Sequence, residues 1–153
     1  MPLSEILLAE FDREFAELRR MLEVVPEKHF AWRPHQKSMT LGRLTSHLTH
    51  LPMFPVMLAT NKAEKPADAA TRAELLSALD RNLALGRGYL AQATDDFLAE
   101  EIRVTPTITR TRAMMLRRAL FSHMVHHRGQ LSVCLRMLGV AVPCMYGPSA
   151  DEK

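Results

Sequence analysis

The chain has 153 residues, 47% of them hydrophobic and 24% charged, with a net charge of +3. That fits one domain, residues 1–153, with a single core that needs no disulfide staples, and it excludes the disordered and fibrous classes. The arginines fall in short clusters, Arg19-Arg20, Arg110-Thr-Arg112 and Arg117-Arg118, without aromatic interleaving, so solvated helix faces are expected and no nucleic-acid partner.

The amino terminus, Met-Pro-Leu-Ser-Glu-Ile, lacks the basic and apolar regions of a secretory leader, and no apolar run approaches the roughly 20 residues a membrane helix needs. A cytoplasmic protein with no membrane partner is expected. Cys134 and Cys144 have neither metal-type nor redox-type spacing, and Cys134 falls on an apolar helix face. Free thiols in a reducing compartment follow.

Residues 4–25 carry Leu7, Phe11, Phe15, Leu18, Leu22 and Val25, which at 100° per residue fall within about 80° of arc on one helix face. Ser4 is the expected cap and Pro26 the stop. Phe30-Ala-Trp32-Arg-Pro34 reads as a loop. Ser38 or Thr40 then caps a second helix through Leu41, Leu44, His47, Leu48 and Leu51, which Pro52 and Pro55 kink or break.

A polar connection from Asn61 to Ala70, containing Pro66, leads to a capping box at Thr71-Arg-Ala-Glu74. From it a third stripe runs through Leu75, Leu76, Leu79, Leu83, Leu90 and Phe97, with Gly86 on the stripe as a place for a close neighbour, a cavity edge or a tolerated glycine. Alternation from Ile102 to Thr109 indicates a short strand or hairpin near 102–108. Thr109 or Thr111 starts a last helix of about 28 residues that Gly139 ends. The fold class is therefore all-α, a four-helix bundle with long connections, and the tail from Val140 either folds back over it or is an exposed terminus.

Seven histidines are present. His123 and His127 stand four residues apart on the last helix, in the apolar seam of Leu116, Leu120, Leu131, Cys134 and Leu138, while His126 lies at its edge. The same geometry turns His47 inward on the second helix and His50 away. One inward histidine is more often a hydrogen-bonded core residue than a ligand. Three buried imidazoles, however, lose their hydration together, and one divalent ion relieves all three while leaving positions open for water or substrate. Met114, Met115, Met124 and Met137 read as adaptable packing rather than a soft-metal site.

With Leu44-x-x-His47-Leu48, His123-x-x-x-His127-Arg-Gly-Gln130, Trp32-Arg-Pro34 and the Tyr146-to-Glu152 segment, the chain resembles the DinB/YfiT family of metal-binding four-helix bundles over essentially its whole length. The resemblance implies His47, His123 and His127 as metal ligands, and relatives that include thiol-dependent S-transferases and isomerases. It implies a homodimer as well.

The expected function is thus a metal-dependent enzyme that activates a low-molecular-weight thiol, of S-transferase type, or water. The alternative is a non-catalytic metal- or small-molecule-binding stress protein, and the residues alone do not separate the two. Zinc, nickel, iron and manganese all suit three imidazoles. Arg128 is a candidate to hold an anionic substrate group or to make a structural ion pair, and His126 to shuttle protons. Gln130 is a candidate to orient a ligand histidine, and Trp32 and Tyr146 to wall the cavity or anchor loops. Met124 occupies the position at which a His-Glu-x-x-His zinc protease carries its general base, so that hydrolase chemistry is not expected.

Overall fold

The computed structural model describes residues 1–62 and 67–152. Pro66, in the expected polar connection, lies outside the described residues. Helix α1 (Leu3–Glu23) buries Leu7, Phe11, Phe15, Leu18 and Leu22, the stripe expected from the sequence. Its start differs from that expectation. Pro2 holds the N-cap position, Ser4 is buried without capping, and the Leu3 N–H donates instead to Asp95 Oδ1 at 2.8 Å. A carboxylate from another helix thus occupies the positive end of the α1 dipole.

The loop after α1 supplies the cap of α2 (Leu41–His50). Thr40 Oγ1 accepts from the Arg43 N–H, and the carbonyls of Trp32 and Phe30 accept from Leu41 and Gly42. The two prolines break the helix as expected. A short 3-10 turn spans Leu51–Met53, and α3 (Phe54–Thr60) continues from it, closed by Asn61 in the left-handed region at φ 56°. Helix α4 (Arg72–Ala91) begins at the Thr71 cap and packs against the break. Asn82 Nδ2 donates to the Thr49 carbonyl at 2.9 Å, and Gly86 lies against the Pro52 carbonyl. Gly86 is there for a close neighbour.

The third stripe does not continue to Phe97 as one helix. The chain breaks after α4, and Thr94 caps a separate short α5 (Asp95–Ala99), its hydroxyl accepting from the Phe97 N–H. Thr-Asp-Asp is a strong start signal, with an oxygen acceptor followed by two first-turn carboxylates, and it outweighs the apolar spacing. An antiparallel hairpin follows, β1 (Glu101–Thr105) with β2 (Ile108–Thr111), with one register irregularity between Arg103 and Thr105.

Thr111 caps the last helical rod, which runs as α6 (Arg112–Met115), a π-wound stretch (Leu116–Ser122) and α7 (His123–Met137). It ends in a Schellman motif. Gly139 has φ +71° and donates to the Arg136 carbonyl, while the Val140 N–H reaches back to Leu135. Helices α1 and α2 each pack on α4 and α7, giving the bundle. The tail folds back over it, with Arg20 holding Glu152 and the Cys144 carbonyl, and Arg136 holding Asp151. Among the described residues no helix is long and apolar enough to cross a membrane.

Candidate metal centre

His47 comes from the second turn of α2, and His123 and His127 from successive turns of α7. Their rings meet between the two helices, with centroids 4.6–5.0 Å apart. His123 Nε2 is 3.3 Å from His47 Nε2 and 2.8 Å from His127 Nε2, and one ligand nitrogen from each of the three lies within 4.8 Å of the others. Nitrogens held about 2.0–2.1 Å from one ion at angles of 90–110° stand about 2.8–3.4 Å apart. The two short separations fall in that range.

Two of the three imidazoles are held toward the neutral form that ligation needs. Burial, and then the neighbouring His127 and His123, push His47 down to about 4. Burial lowers His127 as well, against an opposing hydrogen bond from Gln130. That bond links His127 Nδ1 to Gln130 Oε1 at 2.7 Å, so Nδ1 carries the proton and Nε2 presents its lone pair to the other two rings. Lone pairs facing one another across these distances repel unless a proton or a cation sits between them. Among the described residues, these three are the histidine, cysteine and acidic side chains placed to share an ion.

The other candidate residues are placed less uniformly. His126 is exposed beside the centre, its ring centroid 4.9 Å from that of His127. Arg128 is buried and donates to Glu14 Oε2 at 2.7 Å and to the Glu14 carbonyl at 3.0 Å, which matches the structural ion pair of its two expected roles. The Tyr146 hydroxyl donates to the same Glu14 oxygen at 2.6 Å and also meets Arg128, although the ring itself is exposed. Trp32 packs half-buried against the core. Met124 is fully buried, whereas Met114 and Met137 are exposed and do not serve as packing.

Glu14 joins the site residues without having been among the expected ones, although its spacing places a carboxylate beside the apolar stripe of α1, an anomaly that calls for a buried partner. Burial raises its carboxyl, but the Tyr146 hydroxyl and the Arg128 guanidinium outweigh this and hold it below the usual carboxylate range.

A cavity of about 470 Å³ opens beside the triad, with His123 and His50 on its wall together with Leu51, Phe54, Met57 and Ala119. His50 therefore borders the site after all. The turn through Pro52 brings α3 across this side, enclosing a helix face that α2 alone would leave in water. A second cavity, about 450 Å³, is lined by Ser38, Leu44, Gln130 and Cys134. Burial raises the Cys134 thiol, so it is no ready nucleophile.

The DinB family profile matches residues 3–153. A DinB-like protein from Bacillus cereus ATCC 10987 superposes with a TM-score of 0.76 at 21% identity, over 91% of this chain and 95% of that one. The DinB-like protein YjoA of Bacillus subtilis gives 0.72 at 22% identity, over 90% and 95%. At those identities they speak for the fold. The uncharacterised protein YrdA of Bacillus subtilis strain 168 is 48% identical over 33 residues, so the match spans 22% of this chain and 20% of that relative. The chain belongs to the DinB family.

Proposed function

We propose that this DinB-family chain is a metal-dependent enzyme that binds a divalent transition metal through His47, His123 and His127 and activates a low-molecular-weight thiol for transfer to an electrophilic acceptor. The observation that carries the reading is the convergence of three imidazoles, with Nε2 separations of 3.3 and 2.8 Å, from two different helices. When bound, such an ion lowers the pKa of a thiol or water that it coordinates and stabilises the anion at neutral pH.

The chain's own residues do the rest. Gln130 fixes the tautomer and ring plane of His127. Burial keeps His47 and His127 neutral, so that neither proton nor charge competes for the ligand positions. His126, exposed next to His127, is placed to exchange protons with solvent. Arg128 acts through structure, tying α7 to α1 through Glu14 behind the centre. The buried Met124 provides no general base beside the first ligand, which favours thiol chemistry over hydrolysis of the His-Glu-x-x-His kind.

The test is elemental analysis of gently purified protein, combined with an assay of thiol consumption in the presence of electrophilic acceptors. Stoichiometric metal that is lost in His47→Ala, with turnover lost in parallel, is the expected result. Equal metal in the variant and the parent would remove His47 from the centre. Stoichiometric metal with no thiol consumption across a broad acceptor panel would leave a binding protein in place of an enzyme.

A further inference from the structure

The cavity beside His123 has two chemically different ends. Its walls are apolar, from Leu51, Phe54 and Met57 on one side to Ala119 of the π-wound stretch on the other. His50 lines it just before α3 begins, and His123 beside His47 of the same helix α2. Lys62 lines it just after α3 ends. From Phe54 to Thr60 the helix between them advances about 9 Å at 1.5 Å per residue.

The position of Lys62 is built by the fold. Asn61, in the left-handed region, ends α3 and donates to the Met57 carbonyl at 2.8 Å, and the Lys62 N–H then donates to Thr60 Oγ1 at 3.3 Å. These two bonds set the backbone of Lys62 at the cavity rim. Among the described residues lining the cavity none is acidic.

The geometry points to an acceptor substrate that is an elongated apolar molecule carrying an anionic group, with its apolar body in this cavity, its anion at Lys62 and its opposite end at His123. A volume near 470 Å³ is in the range of cavities that enclose small molecules. An apolar chain gains by leaving water along the Leu51, Phe54 and Met57 wall, while a rim ammonium favours an anion over a neutral or cationic head. The inference rests on the proposed reaction only for which end of the molecule reacts.

Binding is therefore read on full-length protein stripped of metal with a chelator, by calorimetry, using decanoate, 1-decanol and decyltrimethylammonium as probes. Decanoate is expected to bind at least tenfold more tightly than 1-decanol, with the cationic probe weakest. Lys62→Gln, a surface change, should erase the decanoate advantage while leaving 1-decanol unchanged, and Met57→Glu should weaken decanoate most, circular dichroism confirming an intact helical fold. Equal binding of decanoate and 1-decanol, an unaltered preference in Lys62→Gln, or no binding of any probe would each overturn the assignment. So would a preference for decanoate that arises only on adding metal and survives Lys62→Gln, since the carboxylate would then be going to the ion. Metal content is measured separately, so failure of the metal reading leaves a different record.

Discussion

Gln130 is exposed, yet its Oε1 stands 2.7 Å from Nδ1 of His127, a residue that is itself buried. An exposed side chain therefore sets the protonation pattern of an enclosed one. Gln130→Leu removes this hydrogen bond with little consequence for the core. Metal affinity is expected to fall by about 10–100-fold, measured by competition with a chromophoric chelator, while the thermal unfolding of the metal-free protein stays within a few degrees of the parent.

The Glu14–Arg128 pair joins α1 to α7 with side chains only 4% and 3% exposed. Arg128→Met leaves the buried Glu14 carboxylate with only the exposed Arg13, at 2.9 Å, and the Tyr146 hydroxyl as partners, and urea unfolding should show a loss of about 3 kcal/mol, since breaking one half of a buried pair leaves its charge poorly compensated. The double variant Glu14→Leu/Arg128→Met should regain most of that loss. A double variant as unstable as the single one would show that the pair contributes more than mutual neutralisation.

A Cβ on residue 86 would fall 1.8 Å from the Pro52 carbonyl oxygen, whereas one on residue 88 would have nothing within 4 Å. Gly86→Ala must push α4 away from the turn between α2 and α3, at a cost of about 2 kcal/mol or more. Gly88→Ala, in the same helix, should stabilise by about 0.5–1 kcal/mol through helix propensity. Paired chemical denaturation of the two variants checks both signs.

Stability of the metal-free protein should depend on pH through the buried imidazoles. His47 has a folded value of about 4 against an ordinary 6.5. Between those values the unfolded chain binds more protons than the folded one, so stability is complete above about pH 6.5 and declines as pH falls toward 4. His127, also lowered, adds in the same direction. The melting temperature should drop through this window, and the slope between pH 6.5 and 5, above the main carboxylate range, should flatten in His47→Gln/His127→Gln.

Much of the centre was legible because it depends on angular spacing alone. Residues four apart on α7 and an apolar stripe on α2 place His47, His123 and His127 inward whatever the loops do. The caps at Thr40, Thr71 and Thr111 and the glycine at 139 were legible for a similar reason, being local bonds between neighbours in the chain. What escaped depends on partners distant in sequence. Asp95 takes the role expected of Ser4. Arg128 is buried because α7 is covered on two faces, by α2 on the histidine side and by α1 on the side of Met124, Arg128 and Leu135, and a single-stripe wheel represents only one of them. His50 is drawn to a cavity wall by α3, whose path is set by two prolines and a close approach to α4. The π winding left no periodic trace at all.

That winding lies immediately upstream of His123, and its wider i→i+5 loops take up about one residue more than an α-helix needs for the same rotation. Excising one residue between 116 and 122 would therefore let an ordinary spiral form with the bearing of the histidine pair little changed, whereas the same excision between His123 and His127 would part the two rings by about 100°. Two indels of identical size, a few residues apart in the gene, thus differ as a loose thread differs from a steering error.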